Sequence, residues 1–127
     1  MTKAECNRRL QYLGIYNEYY YRRETRLLPN VLQTDETLNC LVTGVHDSNR
    51  KMIAVTDRRI YVLFVGALGA GDVKVFSRRA VMEYTFDKKF LRSSILLDTT
   101  EGCLVFTGVQ GARKELFDWA MTLPIPE

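Results

Sequence analysis

Cysteine, histidine and long apolar runs are all scarce in this chain, and each scarcity removes a class of function. Three cysteines, Cys6, Cys40 and Cys103, form an odd set without CxxC spacing. That argues against a disulfide framework or a zinc knuckle and leaves buried free thiols as the expectation. The one histidine, His46, has no evident serine or cysteine partner and sits beside Asp47 in a turn, so catalysis is not expected. No stretch approaches the ~18 uncharged apolar residues of a membrane span. The segment MTKAECNRRLQ carries charge where a secretion signal would carry its apolar core, so the expected compartment is the cytoplasm. Net charge is also small, at +3, and unevenly placed: residues 1–34 hold six cations against three acids, and the rest of the chain cancels. Any attraction to anions is concentrated in the N-terminal segment and is weak at cellular salt.

What is present is an ordinary globular composition, 46% hydrophobic and 26% charged over 127 residues. A chain of that size buries about two-thirds of its unfolded surface and needs no staples. The N-terminal part reads as helical, with Cys6, Leu10, Leu13, Tyr20, Leu27 and Val31 spaced by threes and fours. Gly14 weakens or kinks that helix, so one bent helix and two separate ones are both open. Pro29 stops or restarts the chain.

From Thr37 the pattern changes to short runs rich in β-branched and aromatic residues, each closed by turn formers. Strands are expected at about 37–45, 51–56, 59–65, 72–77, 80–86, 93–99 and 103–109, joined as an antiparallel meander. The glycine-rich GALGAGD lacks the GK[ST] ending of a phosphate cradle and leads into the strand VKVF, so it reads as a hairpin loop. After Gly111, Ala112, Leu116, Trp119, Ala120 and Leu123 recur at helical spacing, and Pro124 ends that helix. Its Trp119 and Leu116 face is expected to cover the open end of a bent sheet.

The run LLPNVLQTDETLNCLVTGV, then IAVTDRRIYVLF, the hairpin GALGAGDVKVF and the terminal helix together resemble a bacterial pleckstrin-homology domain of the YokE-like kind, over about residues 27–123. The resemblance implies an α+β, mainly β fold of seven antiparallel strands in a partly open barrel capped by a C-terminal helix. It divides the chain into a helical extension, 1–34, and a PH-like domain, 35–124. It implies no ligand. Phosphoinositide-binding relatives grip phosphates with a lysine on the first strand and a basic pair on the second, whereas TLNCLVTGV has no basic residue and HDSNRK supplies only Arg50 and Lys51.

Two groups of residues are candidates for binding. Arg50, Lys51, Arg58 and Arg59 form a prospective phosphate-facing rim for an anionic membrane surface. Within TDRR, however, Thr56 and Asp57 favour local hydrogen bonds that reverse the chain, so a structural turn is preferred to a ligand site. The strand that follows, Ile60 to Val65, is apolar on both faces, and something must cover the second one: the aromatic N-terminal helix or another subunit. The other group is Tyr12, Tyr16, Tyr19 and Tyr20 with Arg22, Arg23 and Arg26, a composition suited to protein interfaces and self-association. Tyr19, Tyr20 and the three arginines could also stack on single-stranded bases, a reading disfavoured by the small net charge. The expected function is therefore a non-enzymatic interaction or scaffolding module without cofactor or metal, binding a protein partner or itself.

Overall fold

A computed structural model describes residues 1–126. Helix α1 (Lys3–Tyr12) starts at a capping box in which the Glu5 amide donates to Thr2 Oγ1 at 3.1 Å and the Thr2 amide donates to Glu5 Oε1 at 3.3 Å. It ends where Gly14 takes a left-handed φ of 75°, with the Ile15 amide donating to Leu10 O and the Gly14 amide to Gln11 O. This is the Schellman pattern, so Gly14 terminates the helix rather than kinking it. The termination resets the phase of the apolar stripe. Beyond it come only single turns: α2 (Tyr16–Tyr19), a 3₁₀ turn at Glu24–Leu27 and α3 (Leu28–Val31). The buried set is accordingly Cys6, Leu10, Ile15, Tyr19, Leu28 and Leu32, and only the first two belong to the expected stripe.

Seven antiparallel strands follow: β1 (Leu38–His46), β2 (Asn49–Thr56), β3 (Arg59–Val65), β4 (Gly71–Ser77), β5 (Val81–Asp87), β6 (Ser93–Thr99) and β7 (Gly102–Val109). Their order is β4-β3-β2-β1-β7-β6-β5, an open sheet with β4 and β5 at its edges. The β1–β7 seam is short, paired at Val45 and Thr107. A Cβ on Gly44 would lie 2.7 Å from Val109 Cγ1 and 3.0 Å from Phe106 Cβ, so only glycine allows β1 and β7 to approach there. The β1–β2 link is a two-residue hairpin turn with Asp47 and Ser48 both at positive φ. Helix α4 (Lys114–Thr122) packs on β1, β2 and β5.

Alternation along β1 to β3 sends side chains into two separate cores. The inner core holds Cys40, Val42, Ile53, Val55, Ile60 and Val62 together with Phe76, Phe86, Ile95, Leu97, Phe106, Phe117 and Ala120. The outer core holds Leu38, Leu41, Met52, Ala54, Tyr61 and Leu63, all covered by the N-terminal segment. The second apolar face of β3 is thus covered from within the chain. Two expectations need correction. Helix α4 buries Phe117 and Ala120, while Trp119 is 42% exposed and Leu116 half-buried. The reason is phase: the helix starts only at Lys114, and its i, i+3 pair Phe117 and Ala120 faces the sheet. Cys6 and Cys40 are buried thiols, but Cys103 is exposed, next to the tight turn that opens β7. Burial pushes the Cys40 thiol up to about 12.

The extension is also clipped by polar contacts. Arg9 Nε donates to Leu38 O at 2.6 Å and Arg9 Nη2 to Asn39 Oδ1 at 2.7 Å. Tyr19 Oη donates to Gln110 Oε1 at 3.0 Å, and that oxygen also accepts from the Thr43 amide, where β1 diverges from β7. At the far end, buried Arg78 donates from Nη2 to Met121 O and Leu123 O, satisfying carbonyls at the C-terminus of α4.

Candidate functional sites

The arginines of TDRR are held in a closed network. Thr56 Oγ1 accepts from the amides of Arg58 at 3.1 Å and Arg59 at 2.8 Å, which folds the turn, and donates to Glu36 Oε2 at 2.8 Å. The Glu36 side chain is fully buried; it also accepts from Arg59 Nη1 at 3.0 Å, from the Gln33 amide at 2.7 Å and from the Tyr61 hydroxyl. A carboxylate with this many donors is compensated for its loss of water. Burial and the bond to Glu36 push the Tyr61 phenol above its ordinary value. Arg58 donates to Asp35 O at 3.0 Å and lies 3.5 Å from its carboxylate. Both arginines therefore tie the segment before β1 to the β2–β3 turn, and together with Arg79 they line a cleft of about 340 Å³.

Arg50 and Lys51 lie at the other end of β2, on the order of 20 Å away by strand rise. The four-residue rim is thus split into two unconnected pairs. Arg50 donates to Thr43 Oγ1 and Gly108 O, both at 3.2 Å. Lys51 lines a cleft of about 140 Å³ with His46, Asp47, Val62, Phe64, Asp72, Lys74 and Leu104. Its two lysines are matched by two aspartates, so the cleft has no net appetite for an anion. His46 is committed to Val105 O at 3.1 Å and Asp47 at 3.3 Å. Among the described residues no group of histidine, cysteine or acidic side chains could hold a metal. No helix is long and apolar enough to cross a membrane.

The tyrosine-arginine group divides by side of the segment. Tyr19 is buried, with its phenol pushed well above its ordinary value, chiefly by burial. It cannot stack on a base. Arg23 donates to Gly66 O at 2.9 Å and so serves the β3–β4 loop. Tyr20 and Tyr21 face solvent and meet edge-on at 5.6 Å, while half-buried Tyr16 packs on the outer core and stacks on Tyr20 at 5.0 Å, and the half-buried Arg22 guanidinium lies 5.7 Å from the Tyr21 ring centre. Tyr12 stands apart on α1, exposed, with Arg9 over its ring at 4.8 Å. Arg26 is exposed beside a cleft of about 340 Å³ that it shares with Lys3, Cys6, Asn7, Tyr20, Thr25, Pro29 and Asn30.

A further surface lies outside both candidate groups. In the β5–β6 loop Phe90 is 100% and Leu91 89% exposed, between Lys88, Lys89 and Arg92. Its signal in the sequence is the apolar pair inside the basic run KKFLR.

No protein-family model matches the sequence, and no curated protein does. Solved structures do. A DUF1696 family protein with a pleckstrin-homology domain from Shewanella loihica PV-4 superposes with a TM-score of 0.56 at 13% identity, over 76% of this chain and 85% of that one. A pleckstrin homology domain from Shewanella amazonensis SB2B gives 0.52 at 16% identity, over 76% and 94%. The fold is PH-like. At these identities the likeness speaks for architecture alone, and it does not single out the YokE-like kind.

Proposed function

We propose that this PH-like chain is a non-catalytic interaction module of the bacterial cytoplasm that recognises a protein partner or a second copy of itself. The observation that carries this reading is the exposed pair Tyr20 and Tyr21, with half-buried Tyr16 stacked on Tyr20 and with Arg22 and exposed Arg26 beside them. It lies on a segment whose opposite side is already spent on the outer core. Tyrosine and arginine bury large area at modest entropic cost and dominate interface energetics, so an exposed cluster of them is a surface suited to being covered. The rest of the sheet carries the segment as a rigid support. Supporting a non-catalytic role, the titratable groups with well-defined partners, such as Glu36, Arg59 and His46, are engaged in holding turns together.

The test places a photo-crosslinking residue at Tyr21 and, as control, at exposed Glu101 on the β6–β7 turn, in the full chain. Expected is a discrete adduct at position 21 that is lost in Tyr16→Ser/Tyr20→Ser and absent at 101, with light scattering showing whether the adduct is a second copy. A monomer that gives no adduct specific to position 21 would overturn the reading.

A further inference from the structure

The β5–β6 loop is a convex tip rather than a covered turn. Its base is fixed: Ser93 Oγ accepts from the Lys89 amide at 3.1 Å and donates to Lys89 O at 3.4 Å, closing the loop on itself. Gly111 lets the start of α4 pass close by, since a Cβ there would lie 3.0 Å from Ser93 Oγ. Beyond that base the loop stands off the body. A recess of about 520 Å³ separates it from Val109, Gly111 and Ala112, leaving Phe90 and Leu91 nothing to pack against. Leu68 is equally exposed, but it sits in a glycine-rich loop without a cation of its own. Lys88, Lys89 and Arg92 face only one acid within the loop region, Asp87, which lies 3.4 Å from Lys89. Lys88 and Arg92 make no ion pair among the described residues.

We infer that this loop docks the protein on an anionic bilayer, Phe90 and Leu91 entering the boundary between headgroups and acyl chains while Lys88, Lys89 and Arg92 lie among lipid phosphates. Two exposed apolar side chains give partitioning, and three flanking cations give attraction to anionic lipid; both signals are needed for peripheral anchoring. A convex cationic tip suits a deformable lipid surface better than a protein pocket, where anchors are met by matched walls. The inference does not rest on the tyrosine face. It also differs in place from the cleft beside Lys51, which uses Leu104 near the start of β7, whereas the loop stands over Val109 at its end.

The experiment is co-sedimentation of the full chain with phosphatidylcholine vesicles, with and without phosphatidylglycerol, at low and moderate salt. The native chain should partition at least tenfold more strongly onto the anionic vesicles. Phe90→Ser/Leu91→Ser should lower that partition more than tenfold, and each of Lys88→Glu, Lys89→Glu and Arg92→Glu should lower it by about fivefold or more. Because Phe90 and Leu91 pack against nothing and the three cations are exposed, the variants should melt close to the native chain, which separates lost binding from lost folding. Arg50→Glu/Lys51→Glu should bind as well as the native chain. No sedimentation with anionic vesicles, binding untouched by Phe90→Ser/Leu91→Ser, or binding that follows Arg50 and Lys51 would each overturn the inference.

Discussion

The inner and outer cores share the same three strands and are closed in opposite ways. The inner core is walled by regular elements, β5 to β7 and α4, with Phe106 and Phe117 fully buried at its centre. The outer core is closed by one short helix and a series of single turns, and much of its fixation is polar: Arg9 on Leu38 and Asn39, Glu36 on Thr56, Arg59 and Tyr61, and Glu18 on Arg113. Helical turns of four residues have little stability of their own, so packing and clips must hold them. A sheet apolar on both sides can thus be completed by an irregular strap, provided that the strap carries enough side chains of the right size.

The comparison breaks most severely if the strap is removed. Deleting residues 1–34 exposes Leu38, Leu41, Met52, Tyr61 and Leu63 together, a loss of more than ~5 kcal/mol by area. The shortened chain should aggregate, or assemble through that face, in light scattering; a stable monomer of normal melting temperature would contradict the division into two cores. Single truncations sharpen the contrast. Phe117→Ala should cost about 3–5 kcal/mol and loosen the whole protein, whereas Leu10→Ala should cost about 2–5 kcal/mol, with extra hydrogen exchange concentrated in α1 and the outer faces of β2 and β3. Uniform exchange in both variants would mean that the cores melt as one.

Glu36→Gln is expected to cost about 2 kcal/mol, since Arg59 loses its charged partner and the amide keeps one acceptor oxygen where Thr56 and Tyr61 had used two. Denaturant titration checks it, and a neutral result would show the network to be dispensable. The smallest effect concerns alkaline pH. The phenols of Tyr19 and Tyr61 are raised in the folded state, so folded protein holds these protons after unfolded protein has lost them. Their contribution is complete below the ordinary value near 10 and declines as pH rises above it. Both sit in the outer core, so the strap should loosen first; phenolate absorbance set against far-ultraviolet circular dichroism follows the order.

The sequence made the sheet legible because period-2 alternation and turn residues act locally: the strand expected at 59–65 is β3 (Arg59–Val65), and apolar residues on both its faces announced a cover. The strap resisted reading because one Schellman turn at Gly14 shifts the phase of everything after it, which a continuous 3.6-residue stripe does not register. Trp119 misled for a related reason, since hydrophobicity marks a helix but its start residue sets which side faces inward. For the candidate sites, the reversal role of TDRR followed from Thr56 and Asp57, while the partners of its arginines, Asp35 and Glu36, are distant by sequence and became neighbours only through the fold. Phe90 and Leu91 look like any apolar pair until their lack of neighbours is seen.

The strap precedes in chain order the strands it covers, and this has a consequence during synthesis. Cys6, Leu10, Ile15 and Tyr19 leave the ribosome before the surface that receives them exists, because Tyr61 and Leu63 of β3 must first be translated and paired. Over that interval the nascent chain carries a cluster of tyrosines and aliphatic side chains in the open. A pause after β3 that lets β1 to β3 assemble would close the exposure, whereas slow elongation before β3 would leave the strap of one chain free to seek the unfinished sheet of its neighbour on the same polysome.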